Sequence, residues 1–303
     1  MIVSARIKTA LQILTPVFVC IIAAIGTPAA ADTEKAKEYY NQGVTAMQAG
    51  KPDTAIAAFN AAIQEDPDFV DAYLNLGSIH FEKKEWDKAL GCFKTATEKD
   101  DQHIDAYTNL GKVQMMLKKY AEAEEAFTKA ISIDKTNGSL YKELGKLYYR
   151  KKNYSKLITT LNECNKLGSG DHLSYYMLGK GYQKQDKLKE ALAALKKSVE
   201  LKPENYNAHS AMGQIYLGQE KYLNAAAEFK AALKAKPKKG YRASYNYAVA
   251  MESHDPDAIN TNIANWESFI KLARNIPKAK SDVAIAQQHV KELKERKEHE
   301  ELQ

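Results

Sequence analysis

A sequence repeat limits the possible folds of this chain more than any other feature. Six glycines recur at intervals of 34 residues, with no insertion between them. They are Gly43, Gly77, Gly111, Gly145, Gly179 and Gly213. A tyrosine or histidine stands four residues before each glycine, an alanine or leucine twelve after it, and a phenylalanine or leucine sixteen after it. A fixed period of this length indicates one supersecondary unit that packs against its own copies.

Each period contains two stretches with helical spacing of apolar residues. In the second period these stretches are residues 70–82 and 86–97, and a polar turn, Lys83 to Glu85, separates them. A pair of short helices cannot bury both apolar faces alone, so neighbouring pairs must stack. Glycine inside a helix costs about 1 kcal/mol relative to alanine. Its sixfold recurrence therefore predicts a close approach of two helices at that position.

The pattern resembles that of the tetratricopeptide repeat family, in which an aromatic residue, Leu-Gly, Ala and Phe recur at fixed offsets. The second period carries it in full: Tyr73, Leu74, Asn75, Leu76, Gly77, Trp86, Ala89, Phe93 and Ala96. The resemblance implies an all-α fold, a right-handed α-solenoid of stacked helix-turn-helix repeats with a C-terminal capping helix. It also implies a role in binding, without naming the partner.

The same register predicts the organisation of the chain. Trp266 follows the last ladder phenylalanine, Phe229, by 37 residues, whereas the regular spacing is 34. Residues 240–277, which contain Trp266, are therefore interpreted as a degenerate seventh repeat. Residues 278–303 are predicted to form a capping helix, because an array needs a polar end. The six regular repeats lie within residues 32–239 and span 36–69, 70–103, 104–137, 138–171, 172–205 and 206–239.

Residues 1–31 have the features of an export signal. Arg6 and Lys8 precede an apolar run over residues 13–25, and small residues lead to Ala31. A basic start, a short apolar stretch and an Ala-x-Ala site are typical of a secretory signal peptide. We expect cleavage after Ala31 and a periplasmic or cell-envelope location, with an uncleaved membrane anchor as the alternative.

The sequence nominates no catalytic residue, no metal site and no cofactor, and we expect the protein not to be an enzyme. Cys92 and Cys164 fall two repeats apart, so they are predicted to be free thiols rather than a disulfide. The seven histidines show no metal-ligand spacing. Phosphate-binding and nucleophile-elbow motifs are also absent from the sequence.

Charge is unevenly distributed along the repeats. Residues 36–137 carry 12 Lys and Arg against 17 Asp and Glu, whereas residues 138–239 carry 20 against 9. In tetratricopeptide arrays the first helices line a concave groove, and the family register implies which residues face it. The predicted groove residues are Lys112, Lys142, Lys146, Tyr149, Arg150, Tyr176, Lys180 and Lys184. The family's lysine–asparagine carboxylate clamp is not assigned, because Leu74 and Ser78 stand where a clamp-forming repeat has lysine and asparagine.

These features favour a non-catalytic scaffold of the cell envelope that binds an acidic protein or peptide segment in the groove and assists complex assembly. One alternative is a component that binds an anionic glycan during polysaccharide export or cell-wall assembly. An accessory subunit of an envelope enzyme is a further alternative. Nucleic acid is not expected as a partner, given the predicted export and the acidic first repeats. Membrane contact is expected only if the N-terminal segment stays uncleaved.

Overall fold

The computed structural model describes residues 32–238 and 240–303, and the secondary structure over these ranges is helical, with no β-strand. The predicted all-α fold is therefore confirmed. The predicted signal peptide, residues 1–31, lies outside the described residues. None of the helices in the described ranges combines the length and apolar content needed to cross a bilayer.

The chain divides into two compact units, one ending at Asp101 and the other running from Gln102 to Gln303. The first unit contains α1 (Thr33–Gln48), α2 (Pro52–Glu65), α3 (Val70–Glu82) and α4 (Trp86–Lys99). The second contains α5 (Ile104–Met116), α6 (Tyr120–Ile133), α7 (Gly138–Arg150), α8 (Tyr154–Lys166), α9 (His172–Lys184), α10 (Leu188–Leu201), α11 (Tyr206–Gly218) and α12 (Tyr222–Ala235). It continues with α13 (Tyr241–His254), α14 (Ile259–Ala273), a 3-10 turn (Pro277–Ala279) and α15 (Lys280–Glu301).

Within each unit the helices pack in chain order. The two helices of a repeat contact each other, and each second helix then contacts the first helix of the following repeat in the same unit. This arrangement buries the apolar stripe that a single helix pair leaves open, as expected for a repeat architecture.

The ladder glycines lie where the two helices of a repeat approach. A Cβ atom added to Gly43 would lie 2.6 Å from the Phe59 ring of the facing helix, closer than carbon atoms can approach. In repeat four the corresponding clash would be between Gly145 and the Leu161 side chain. The aromatic members of this ladder are buried to 1% exposure or less: Phe59, Phe93, Phe127 and Phe229. Glycine is thus required by the size of the residue sixteen positions later.

The turns within the repeats also follow the 34-residue period. In each of the six regular repeats, the turn after the first helix contains one residue with a left-handed backbone, at φ between 56° and 67°. The N–H of the next residue then donates to a carbonyl five residues earlier, as from Glu85 to His80 at 2.8 Å. This is the hydrogen bond of a Schellman motif, which ends a helix sharply. The left-handed residues are Gly50, Lys84, Lys118, Lys152, Asp186 and Glu220.

In repeats two, four and six, the ring four residues before the ladder glycine forms a hydrogen bond with the loop that precedes its helix. Tyr73 donates its hydroxyl hydrogen to the carbonyl oxygen of Pro67 at 3.3 Å, and Tyr141 donates to that of Lys135 at 3.2 Å. In the sixth repeat the Nε2 atom of His209 lies 3.0 Å from the Pro203 carbonyl oxygen. These rings therefore combine packing with a hydrogen bond that closes the loop.

A separate core holds the last three helices together. Trp266 and Phe269 of α14 pack edge-on against Tyr245 of α13, with ring centroids 5.2 and 5.3 Å from the tyrosine ring. The Trp266 indole N–H donates to Glu252 at 2.8 Å, and His289 of α15 lies 2.9 Å from the same carboxylate. The terminal helix is thus fixed to the repeat before it by both apolar and polar contacts.

Candidate functional site

The first helices of the second unit form a continuous layer. In that unit α5 contacts α7, α7 contacts α9, α9 contacts α11, and α11 contacts α13, in addition to the contacts with their own second helices. We call the side of this layer that carries the predicted groove residues the first-helix face. The predicted residues lie on α5, α7 and α9.

The six cations of this face differ in exposure. Arg150 and Lys184, which end their helices, are exposed. Lys112, Lys142, Lys146 and Lys180 are half-buried among the helices. A half-buried lysine keeps its aliphatic stem against apolar neighbours while its ammonium group reaches toward water. The face is therefore not a row of equally solvated charges.

Two of the half-buried lysines are ion-paired inside the chain. The Lys142 ammonium lies 3.2 Å from Asp171 at the start of α9, and the Lys146 ammonium lies 2.6 Å from Glu143. Partial burial acts to raise the pKa of Asp171, but hydrogen bonds from the Ser174 N–H and from Lys142 outweigh it and lower the pKa below the usual value. Part of the positive charge predicted for the groove is therefore already compensated.

The sequence contained a signal for one of these pairs. Glu143 stands two residues before its ladder glycine, and Lys146 stands one residue after it, so the two are one helical turn apart. Asn109 and Lys112 occupy the same positions in the repeat before, and the lysine donates to the Asn109 oxygen at 3.3 Å. Asp171 carries no comparable local signal, because it lies 29 residues from Lys142.

The remaining predicted residues lie close together near α9. Lys180 donates to the Gln183 oxygen, and burial together with the charge of Lys184 lowers the pKa of Lys180. Tyr149 and Tyr176 are half-buried against an apolar core that repeats three, four and five share. Burial and the neighbouring Tyr149 hydroxyl raise the pKa of Tyr176, so its hydroxyl stays protonated at neutral pH. This end of the face holds both charge and neutral hydrogen-bonding groups.

A cleft opens beside Lys180, between α9, α11 and α13. Its volume is about 230 Å³. Four of its lining residues stand at the groove positions that the family register assigns, three before or one after a ladder glycine: Tyr176, Lys180, Ser210 and Gln214. The others are Tyr206, Asn207, Ala211, Arg242, Ala243 and Asn246. We call this the α9–α13 cleft.

The chemistry of the α9–α13 cleft is cationic and rich in hydrogen-bonding groups. Lys180 and Arg242 both line it, and none of its lining residues carries a carboxylate. The Ser210 hydroxyl is buried, and no group among the described residues forms a hydrogen bond with it. Sequence reasoning missed Arg242 and Asn246, because the glycine ladder ends at Gly213 and no longer marks the register of α13.

The described residues contain no group of three or more His, Cys, Asp or Glu side chains arranged to hold a metal ion. Cys92 and Cys164 are free thiols, half-buried and buried respectively. Burial raises the pKa of the Cys92 thiol to about 11, which disfavours the reactive thiolate.

Comparison with protein families gives one match, which covers most of the chain. The model of the cilia and flagella-associated protein 70 C-terminal domain, a tetratricopeptide repeat domain, matches residues 8–251. The chain belongs to this tetratricopeptide repeat family. The resemblance drawn from the glycine ladder is thereby confirmed.

Solved structures of other tetratricopeptide repeat proteins support the same fold. The C-terminal part of a repeat-containing protein from Cytophaga hutchinsonii is 19% identical, with a TM-score of 0.67 over 79% of this chain and 97% of that one. YrrB, described as a tetratricopeptide repeat protein with an unusual peptide-binding site, is 25% identical, with a TM-score of 0.52 over 60% and 94%. MamA is 24% identical, with a TM-score of 0.52 over 56% and 93%. Among curated proteins, none matches the chain.

The family and its structural neighbours support a protein-interaction scaffold. The predicted all-α tetratricopeptide fold class is confirmed, whereas the handedness of the array stays a prediction.

Proposed function

We propose that this tetratricopeptide repeat protein is a non-catalytic scaffold that binds an acidic segment of a partner protein on its first-helix face and assists assembly of a complex. The observation that carries the proposal is the excess of cations on that face. Lys142 and Lys146 are compensated by carboxylates, but Arg150 and Lys184 are exposed, and Lys180 lines a cleft without a carboxylate. The peptide-binding site described for YrrB supports a peptide as the partner.

The physical reason is that a surface with uncompensated positive charge attracts negatively charged partners and raises their association rate. Like charges close together on neighbouring helices repel each other, which disfavours the fold slightly. A bound acidic segment removes this repulsion. An extended peptide also has free backbone groups that amide side chains on this face can satisfy.

The two exposed cations provide the test. The double variant Arg150→Gln with Lys184→Gln removes two positive charges from the first-helix face and breaks no ion pair among the residues that the structure describes. We expect its affinity for an array of acidic peptides to fall about tenfold, and its capture of partners by crosslinking in native extracts to fall in parallel. Lys146 is less suitable for this test, because its substitution also releases Glu143.

Lys189 and Lys196 of α10 provide the matched control, since both are exposed and lie on a second helix. The control variant, Lys189→Gln with Lys196→Gln, removes the same charge and is expected to bind as the wild type does. Equal losses of affinity in the two variants would mean that only the net charge of the protein matters. No loss of affinity in either variant would exclude the first-helix face as the binding surface. Binding of an anionic oligosaccharide array in place of peptides would favour the glycan alternative.

We also propose that the scaffold acts in the cell envelope after export. The support is the signal-peptide pattern of residues 1–31. Amino-terminal sequencing of the protein from fractionated cells tests this proposal, and the expected first residue is Asp32. Recovery of the chain with Met1 from the soluble cytoplasmic fraction would exclude it.

A further inference from the structure

We propose that the end of the sixth repeat docks on an anionic membrane surface through four exposed lysines, Lys230, Lys234, Lys236 and Lys238. We call these residues the α12 lysine patch. The first two lie on α12, Lys236 caps the helix, and Lys238 lies in the loop that follows. The inference goes beyond the proposed function, because the patch belongs to a second helix and its loop, not to the first-helix face. The contact also does not depend on residues 1–31.

The composition of this stretch is the first argument. Of the ten residues 230–239, five are lysine and the other five are alanine, leucine or proline. No hydroxyl, amide or carboxylate side chain therefore occurs among them. None of the four patch lysines forms an ion pair within the part of the chain that the structure describes. The only acidic residue of α12, Glu228, is paired with His209.

The 34-residue register gives the second argument, because it shows that a compensating carboxylate of an earlier repeat is replaced here. In repeat two, Lys94 of α4 pairs with Glu98, one helical turn later, at 3.6 Å. The equivalent residues four repeats later are Lys230 and Lys234. An ion pair is thus replaced by two like charges, which destabilise a helix slightly.

The end of the helix changes in the same way. The residue that caps the second helix is an aspartate in repeats one to three, whereas it is Lys236 in repeat six. A cation at the end of a helix complements the helix dipole, which accounts for Lys234 and Lys236. It does not account for Lys230, which lies more than one turn earlier, or for Lys238 in the loop. The fold itself therefore does not require four uncompensated charges, whereas an anionic partner would compensate them.

The apolar side chains beside the patch favour a lipid surface as that partner. Leu223 and Ala227 precede Lys230 and Lys234 at helical spacing, so the four residues lie on one side of α12. All four are exposed, and Leu223 is exposed to 56%. An anionic bilayer attracts each nearby lysine by its charge, and exposed apolar side chains enter the boundary between headgroups and acyl chains.

Other anionic partners fit this surface less well. Lysine is depleted in protein–protein interfaces relative to the rest of the surface. A glycan is recognised through neutral hydrogen-bonding groups and aromatic rings, and residues 230–239 contain neither kind of side chain. A mixture of lysine with alanine, leucine and proline thus suits a membrane surface better than a protein or a sugar.

Vesicle binding by the full-length protein tests the proposal. Sedimentation is compared between vesicles of equal parts phosphatidylcholine and phosphatidylglycerol and vesicles of phosphatidylcholine alone. The test variant combines Lys230→Gln, Lys234→Gln and Lys238→Gln. Lys236 is kept, because its ammonium lies 5.1 Å from the centroid of the Tyr206 ring. Circular dichroism verifies that each variant is folded.

We expect the wild type to prefer the anionic vesicles and the triple variant to bind them about a hundredfold more weakly, since each lysine near an anionic surface strengthens binding roughly fivefold. The matched control replaces three exposed lysines of repeat three, Lys118→Gln with Lys119→Gln and Lys135→Gln. This control removes the same charge and should bind the anionic vesicles as the wild type does.

Four outcomes would overturn the proposal. Equal binding of the wild type to both kinds of vesicle would assign the contact to apolar residues, and equal losses in the triple variant and the control would assign it to net charge. The third is no binding to either vesicle. The fourth is loss of an acidic protein from native extracts by the triple variant with vesicle binding unchanged, which would make the patch a protein-binding surface.

The proposed function is measured separately on the same variants. Affinity for acidic peptides should change no more in the triple variant than in the repeat-three control, because neither alters the first-helix face. Failure of vesicle binding with peptide binding intact would therefore contradict the membrane contact alone. Failure of peptide binding with vesicle binding intact would contradict the proposed function alone.

Discussion

Glycine has three different roles among individual positions of this chain. A ladder glycine such as Gly145 is required by the side chain that covers it. Gly50 is favoured by its left-handed backbone, at φ 67°, although nothing lies within 4 Å of a Cβ atom built there. Gly91, in the middle of α4, has neither a close neighbour nor a positive φ. The three roles predict different responses to substitution.

The ladder role predicts that Gly145→Leu is strongly destabilising. The new side chain would overlap Leu161 of α8 and force the two helices of repeat four apart. Overpacking of this kind typically costs 1–3 kcal/mol or more. Thermal unfolding followed by circular dichroism measures the loss. An unchanged melting temperature would mean that the two helices do not need this close contact.

For the other two roles, substitution of the glycine by alanine should change the free energy of unfolding in opposite directions. Gly50→Ala should destabilise by roughly 1–2 kcal/mol, because an L-residue is strained in the left-handed region. Gly91→Ala should stabilise by about 1 kcal/mol, because alanine is the better helix former. Both positions are exposed and lie in the same unit, so each serves as the control for the other. Shifts of equal sign would contradict the backbone explanation.

Polar contacts between elements add pH dependence to the packing. Glu124 of α6 accepts hydrogen bonds from the Tyr148 hydroxyl at 2.9 Å and from Lys151 and Lys156 at 2.7 Å each. It thereby connects α6 with α7, with α8 and with the turn between them. Partial burial acts to raise the pKa of Glu124, but these three donors outweigh it and lower the pKa to about 2.

A carboxyl group whose pKa is lowered on folding stabilises the folded state above its unfolded pKa. For Glu124 this contribution should be complete above about pH 4.5 and should be lost as the pH falls toward 2. Glu124→Gln should therefore melt at a lower temperature than the wild type at pH 7, with a difference that shrinks on acidification. Its exposed neighbour provides the control, Glu125→Gln, which should show little difference at any pH. A constant difference from pH 7 to pH 3 would argue against the ion network.

His209 of α11 pairs with Glu228 of α12, and its contribution to stability depends on pH in the opposite direction. Its Nδ1 atom lies 2.7 Å from a Glu228 oxygen, and its Nε2 atom faces the Pro203 carbonyl. The hydrogen bond with Glu228 raises the pKa of His209 above its usual value. A histidine whose pKa is raised on folding stabilises the folded state, and this contribution is complete at pH values below its unfolded pKa of about 6.5. The contribution is lost as the pH rises through the pKa of the folded state.

The ladder itself suggests the variant that removes this dependence. The equivalent residues of repeats two and four are Tyr73 and Tyr141, and each donates a hydrogen bond to the carbonyl oxygen six residues earlier, as His209 faces that of Pro203. We expect His209→Tyr to keep that hydrogen bond and to show a flatter melting temperature between pH 6 and pH 9 than the wild type. If the wild type shows no decline over this range, the His209–Glu228 pair does not contribute through protonation.

Charge is the property that concerns the chain as a whole. Repeats one to three carry more acidic than basic residues, whereas repeats four to six carry 20 Lys and Arg against 9 Asp and Glu. Affinity for acidic peptides should therefore fall steeply between about 0.1 M and about 1 M salt, as the Debye length shortens from about 10 to about 3 Å. A matched series of uncharged peptides is the control. Binding that is insensitive to salt would indicate apolar recognition instead.

The sequence by itself determined the repeat, the helix pairs and the positions of the ladder glycines. These follow from spacings of a few residues within a helix and from a period that the chain repeats without change. Lys146 and Glu143 belong to this local level as well, since one helical turn joins them. The first-helix positions of the cations could be read from the same register.

Only the tertiary structure decided which of these cations are compensated and where a cleft opens. Asp171 reaches Lys142 across 29 residues of sequence, and the α9–α13 cleft combines residues from Tyr176 to Asn246. Such neighbours depend on how far each helix is displaced and rotated against the next, which the sum of many side-chain contacts sets. A repeating pattern fixes the face on which a side chain lies, whereas the packing between helices fixes what it meets there.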